Sequence, residues 1–365
     1  MKLLLLIYLP IVSLLLIIYY QSSLNEWKMI TGNSLKINNK NESLDILKAK
    51  NNISKIVGLV LYGRRSSVSI LVRYLDINLK VNGGILVYVL FAVHTNIEED
   101  LKFIENFTSF NSEFYKMKLF PIEKDKKHHL SYFKELYSSC QDNDIVFKID
   151  DDIVFIKNGT FELMLTNYLA GKHYILSANV INNSQLSYVH ARLRAILPFD
   201  EIQPYTWVRA ENTTEIDDTV VFNSTYAAYS KWWGDGRCAA VAHESFLYHA
   251  YNNNLEIYNF GIWDFNSVGY HERVRINFII SWGKNFNKLN SDTDSFTDET
   301  YFSIDMPKKL KIHTISVGKT LVAHFSYHSQ IAYLSKTNIL KKYDNFSFYY
   351  INSSNSMNAF ESISI

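Results

Sequence analysis

Cysteine is nearly missing from this chain of 365 residues, with only Cys140 and Cys238 present. Two thiols cannot build a disulfide framework or a cysteine-ligated metal centre, although a single bridge between them stays open. Charge of either sign in excess is missing as well, since 37 Lys and Arg stand against 36 Asp and Glu. With that balance and no long basic run, the electrostatic footprint of a nucleic-acid partner is absent. Gly318-Lys319-Thr320 lacks the earlier glycine that a Walker phosphate loop requires, which excludes that chemistry there. What the chain has in quantity is apolar: 47% hydrophobic and 15% aromatic residues, enough for one large domain or two fused lobes.

The first apolar block is N-terminal. Leu3 to Tyr20 carries no charge and follows Lys2. As a helix it would measure about 27 Å, close to the thickness of a bilayer core. A signal peptide has a shorter apolar core and a small-x-small cleavage site, and none follows Tyr20. The expectation is an uncleaved signal anchor over residues 1–22, with Lys2 on the cytoplasmic side and Tyr19 and Tyr20 at the interface. Cleavage would instead give a secreted chain. Asn41-Glu42-Ser43, Asn106-Phe107-Thr108 and Asn345-Phe346-Ser347 are sequons compatible with either route. Residues 23–53, polar and rich in Asn, Lys and Ser, read as a stem. Residues 54–335 read as the folded domain, and 336–365 as a polar C-terminal tail.

From Lys55 the pattern alternates. The apolar run to Tyr62 is a strand, followed by the turn Gly63-Arg64-Arg65. Val68, Leu71, Leu75 and Leu79 share one helical face, which Gly83-Gly84 stops. Leu86 to Val93 is a second strand, and Thr95 with Glu98 forms a capping-box pattern before a helix with Leu101, Ile104 and Phe107 inward. Tyr115 to Phe120 is a short strand; Leu130, Phe133 and Leu136 mark a third helix. The series predicts an α/β fold with a mainly parallel, Rossmann-like sheet and helices on both faces.

Its fourth strand, Ile145-Val146-Phe147-Lys148-Ile149, runs into Asp150-Asp151-Asp152 and then a second apolar run, Ile153 to Ile156. A buried strand cannot carry three unpaired carboxylates in its middle, so the acids belong where the strand emerges. Alternation sends Asp150 and Asp152 one way and Asp151 the other. Two same-facing carboxylates form a hard-oxygen site for Mg²⁺ or Mn²⁺ carrying phosphate oxygens. In such sheets ligands bind beyond the carboxyl ends of the strands, where the Tyr62-Gly63-Arg64-Arg65 turn also falls, with arginines able to pair with phosphates.

This arrangement resembles the GT-A glycosyltransferases, whose Asp-x-Asp ends the fourth strand of such a sheet. Phe147-Lys148-Ile149-Asp150-Asp151-Asp152-Ile153-Val154-Phe155 is similar to the version in β1,3-galactosyltransferase-like families. The resemblance covers roughly residues 55–330 and rests on element order more than on any single motif. It implies Asp152 as metal ligand, with Asp150 as its partner and, like Asp151, close to the nucleotide. It implies a nucleotide-diphosphate sugar donor of the UDP-sugar kind, a glycan or glycoconjugate acceptor, and a single-pass type II protein facing the Golgi or ER lumen. It also implies a C-terminal histidine closing the metal site, which His324 fits at the end of the apolar run Thr320 to His324. An Asp or Glu serves as general base in inverting members; Glu272 is the candidate and Asp264 the reserve.

Elsewhere, Phe161 to Leu169 reads as a helix, Tyr174 to Val180 as a strand, 182–235 as a long insertion, and Trp232-Trp233 as a possible stacking face for a sugar or a core pair. Ala242 to Leu247 reads as the start of an amphipathic helix with its charged residues in solvent. Val274 to Trp282 reads as helical. Two other functions compete. A two-metal phosphohydrolase or nuclease needs scattered carboxylates that this chain does not show. A membrane-tethered, non-catalytic glycan-binding module would not need Asp150 and Asp152.

Overall fold

The computed structural model of the protein describes residues 44–120, 130–196, 231–266, 273–289 and 297–361. The expected anchor over 1–22 and most of the expected stem lie outside them. Among the described residues no helix is long and apolar enough to cross a membrane.

Runs of β-branched and aromatic residues form the strands. They are β1 (Ile56–Tyr62), β2 (Tyr88–Val93), β3 (Tyr115–Leu119), β4 (Ile145–Asp150), β5 (Ile153–Ile156), β6 (Leu176–Ile181), β7 (Ile262–Asp264), β8 (Phe278–Trp282) and β9 (Ile315–His324). They join one sheet in the order β3-β2-β1-β4-β8-β6-β9-β5, with β7 also paired to β9. Strands β1 to β4 are mutually parallel, and β8 is antiparallel to both β4 and β6, so β6 runs with β4. Strand β9 is parallel to β6, while β5 and β7 oppose it. The carboxyl ends of β1, β2, β3, β4, β6 and β9 therefore share one edge of the sheet.

Alternation along each strand feeds two cores. In β1, Ile56, Val60 and Tyr62 enter one, and Val57 and Leu59 the other. The first core is covered by helices Arg65–Ile77, Thr160–Ala170, Gly236–Tyr251 and Ile339–Glu361, through residues such as Leu71, Phe161, Phe246 and Phe346. The second is covered by Leu130–Tyr137, Gly283–Asn287 and the helical run 298–310, through Tyr137, Phe286 and Phe302. Helices on both faces of an α/β sheet are what the strand–helix alternation predicts.

The sheet curls. Only Asp151 and Asp152 separate β4 from β5, so the Cα atoms of Asp150 and Ile153 lie at most about 11 Å apart. In a flat sheet β5, four positions from β4, would be roughly 19 Å away. Curling brings the carboxyl ends of β4 and β9 together, which is how residues far apart in sequence meet at one site.

Several expectations give way to the structure. Val274 to Trp282 holds strand β8, not a helix. Its Phe278-Ile279-Ile280 run is β-branched and aromatic, and it fills the slot between β4 and β6. Thr95 does not cap the following helix: Ile97 is the N-cap of Glu98–Phe110, and Thr95 Oγ1 accepts from the Ile97 N–H at 3.2 Å. The helix expected from Ala242 starts at Gly236, capped by Asp235, whose side chain accepts from Arg237 N at 2.9 Å. His243 thus lies in its buried centre, and Glu244 meets Lys342 instead of solvent alone. The expected tail contains a 23-residue helix, Ile339–Glu361. Tyr343 and Phe346 of that helix are fully buried, and Arg73 pairs with Asp344 at 2.8 Å. No disulfide joins Cys140 to Cys238, and burial pushes the Cys140 thiol up to about 12.

Candidate metal and ligand site

The site begins with an anomaly in β4. Lys148 places an ammonium inside a strand that is otherwise apolar, and its side chain is buried. Alternation puts it on the same side of β4 as Asp150, and the two form an ion pair. Lys148 Nζ also donates to the Ile276 carbonyl at 2.7 Å. Burial opposes the Lys148 charge, but Asp150 and Asp298 outweigh it and raise its pKa. Asn277 completes the clamp: its Nδ2 donates to Asp150 Oδ2 at 3.0 Å and its carbonyl accepts from Asp150 N at 2.9 Å.

Asp151 and Asp152 form the turn into β5 and share Arg64. Asp151 Oδ2 accepts from Gly63 N at 2.7 Å, and Oδ1 accepts from Arg64 Nε at 3.0 Å. Burial pushes the Asp151 carboxyl up against the pull of Arg64. Asp152, 1% exposed, takes a second guanidinium nitrogen of Arg64 at 3.1 Å and the Ser326 N–H at 3.3 Å, both on Oδ2. Burial alone would raise it, but Arg64 and His324 together hold it below the usual carboxylate range. Its other oxygen, Oδ1, faces His324 Nε2 at 3.3 Å and has no hydrogen-bond donor.

Asp150, Asp152 and His324 each offer a ligand atom, and these atoms all lie within 4.8 Å of one another. A buried, unpartnered carboxylate oxygen beside an imidazole is costly unless a cation completes it. His324 Nδ1 is likewise buried without a partner. Two carboxylates and one imidazole suit a divalent ion of the Mg²⁺ or Mn²⁺ kind. The residues present fit such an ion.

The other expected residues scatter. Gly63 and Arg64 sit at the site, but Arg64 is committed to the aspartates. Arg65 gives its N–H to Asp100 Oδ1 at 3.1 Å, and its half-exposed side chain is 3.8 Å from the same carboxylate. Tyr62 is not a ligand contact, because its ring is in the core and its hydroxyl donates to the Asp100 carbonyl at 2.7 Å. Asp264 is not at the site either. It pairs with Ile315 at the amino end of β9, and five residue steps of neighbouring β6 separate that end from Ala323. That is roughly 17 Å of strand. There Asp264 holds His313 at 2.6 Å. Glu272 lies outside the described residues.

Lys148, Asn277, Tyr327 and Arg275 escaped the sequence reading. Lys148 left a signal, a lone charge two residues before an acid in an apolar strand. Asn277, Tyr327 and Arg275 left none: Asn277 meets Asp150 through the antiparallel pairing of β4 with β8, Tyr327 reaches Asn277 from just past the end of β9, and Arg275 packs over Tyr327. Compared with known proteins, the chain matches no protein-family model and no curated protein sequence.

Proposed function

We propose that the protein is a metal-dependent glycosyltransferase of the GT-A kind, moving a sugar from a nucleotide-diphosphate donor, a UDP-sugar, to a glycan or glycoconjugate acceptor. The observation that carries this reading is the meeting of Asp150, at the end of β4, Asp152, in the turn that follows, and His324, at the end of β9 far away in sequence, at the carboxyl edge of the sheet. The GT-A resemblance asked for an Asp-x-Asp at the end of the fourth strand and a C-terminal histidine beside it, and this geometry supports both. Charge supports it too. Asp150, Asp151 and Asp152 face Lys148 and Arg64, which leaves one net negative charge. A divalent ion would reverse that sign and draw in a diphosphate.

Bound there, Mn²⁺ or Mg²⁺ would neutralise the charge developing on the leaving diphosphate. The chain's own part is to hold the ligands still. Arg64 ties Asp151 to Asp152, and Lys148 with Asn277 fixes Asp150, so the carboxylates need little reorganisation during reaction. Arg65 remains the arginine for a phosphate. Glu272 is proposed as base on the acceptor hydroxyl if the reaction inverts. In this reading Leu3 to Tyr20 anchors a type II protein facing the Golgi or ER lumen.

The test is turnover of UDP-sugars with Mn²⁺, read as UDP release. Asp152→Asn should lower it at least about 100-fold, and chelation should abolish it. Release that survives both would overturn the reading.

A further inference from the structure

Beside the metal triad stands a second group of side chains that the proposed chemistry does not use. Arg273 and Arg275 share one carboxylate, Glu299, with Arg275 at 2.7 Å and Arg273 at 2.5 Å. Two guanidinium groups on one acid leave a positive charge in surplus. The Arg275 guanidinium lies over two aromatic rings, 5.6 Å from the centre of Trp233 and 5.6 Å from that of Tyr327. Tyr327 in turn packs on His324 with ring centres 4.7 Å apart, which puts Arg275 within about 10 Å of that ligand ring. The Tyr327 hydroxyl reaches Asn277 Oδ1 at 3.4 Å, and Asn277 holds Asp150. Trp233 is 40% exposed and the Arg273 side chain 42%, so the group opens to solvent on that side, while the Arg275 side chain, 13% exposed, lies deeper toward the metal ligands.

We propose that Arg273, Arg275 and Trp233 form a subsite that reads a carboxylate on a sugar, as in a uronic acid. The proposal rests on the glycosyltransferase reading. A guanidinium presents a planar fork of donors that matches a carboxylate in two parallel hydrogen bonds. An exposed indole supplies an apolar face on which a sugar ring can lie while its charged group meets the arginines. Glu299 sets the selectivity. It holds both guanidinium groups in place but balances only one of them, and the remaining positive charge favours a ligand that brings a negative charge of its own. Ten ångströms is the scale of one sugar residue plus a phosphate, so the carboxylate belongs either to the donor sugar or to the adjoining acceptor sugar.

Two titrations of the full-length chain separate these sources. In the first, the Mn²⁺-loaded protein meets UDP, UDP-glucose and UDP-glucuronate. In the second, the protein loaded with Mn²⁺ and UDP meets methyl glucoside and methyl glucuronide. A preference for the charged sugar of roughly tenfold or more in the first arm places the carboxylate on the donor; in the second, on the acceptor. In Arg273→Gln that ratio should fall toward one, and in Arg275→Lys, which keeps charge but loses the fork, it should fall part way. A variant that merely loosened the fold would weaken charged and neutral sugars alike. Equal binding of charged and neutral sugars in both arms, with UDP bound only when Mn²⁺ is present, overturns this subsite and leaves the transferase reading standing. A folded chain that binds no UDP overturns both.

Discussion

At the scale of single residues, the site is a balance of buried charges, and Asp298 shows how that balance reaches stability. Burial, with Glu299 adding to it, pushes the Asp298 carboxyl up from 3.8 to about 6, although Lys148 pulls the other way. The folded chain therefore keeps a proton between pH 3.8 and 6 that the unfolded chain has lost. This contribution is fully present below the unfolded value, declines as pH rises through 6 and stays lost above it. It is worth about 3 kcal/mol at most. Asp298→Asn keeps an acceptor for the Tyr137 hydroxyl, now 2.7 Å from the carboxylate, and removes the titration. Its stability relative to the natural chain should grow from about pH 4 to 6 and then level off, measured by urea unfolding at a series of pH values. A difference that stays flat across that range would contradict the assignment.

The same scale shows what could be read in advance. The three aspartates were legible because charge cannot sit in the middle of a buried strand. Asp150 and Asp152 do gather with His324, but through the Asp151-Asp152 turn and not by alternation along a strand, and Asp151 shares Arg64 with Asp152. His324 became legible through the family resemblance. The partners that hold them were not, since Asn277 and Tyr327 are ordinary residues whose place depends on the pairing of β8 with β4 and on where β9 ends, which no local pattern encodes. Asp264 was misplaced for a related reason: being near the site in chain order does not choose the end of a strand.

At the scale of elements, short apolar runs misled and long alternation did not. Strand β8 looked helical because nine residues of mixed spacing fit either period. Its slot between β4 and β6 decides the matter, by backbone hydrogen bonding that is invisible in the sequence. The helix Ile339–Glu361 was hidden by its Ser and Asn content, yet it supplies the rings that close the core over β5. Phe346 contacts Phe155 at 6.0 Å and Tyr350 at 5.7 Å between ring centres. Phe346→Ala should cost about 3–5 kcal/mol in chemical unfolding, whereas a loosely attached tail would register almost nothing.

Two glycines test how the elements fit. A Cβ on Gly283, where β8 passes into the next helix, would lie 1.9 Å from the Gln141 carbonyl oxygen. Gly283→Ala must displace the turn that leads into β4 and should cost about 1–3 kcal/mol. A Cβ on Gly63 meets nothing closer than Asp151 Oδ2 at 3.4 Å, an ordinary contact. Gly63→Ala should therefore change stability by less than about 0.5 kcal/mol. Equal costs for the two variants would contradict the packing described.

At the scale of the whole molecule, a curled α/β sheet gathers its strand ends into one edge, and that edge carries the acids, the histidine and the arginines. The fold class was legible because strand and helix periods alternate clearly from Lys55 to Ile156. The closing of the site was not, because β9 reaches it from more than 150 residues away, with His324 set beside Ile153. The account stands or falls on whether the triad holds a cation that carries a nucleotide. The most direct measurement is calorimetric titration of the full-length chain with UDP, with and without Mn²⁺, beside His324→Ala. UDP binding should require Mn²⁺ and weaken by at least about tenfold in the variant. UDP binding of equal strength with and without the metal, or none by a folded chain, would contradict it.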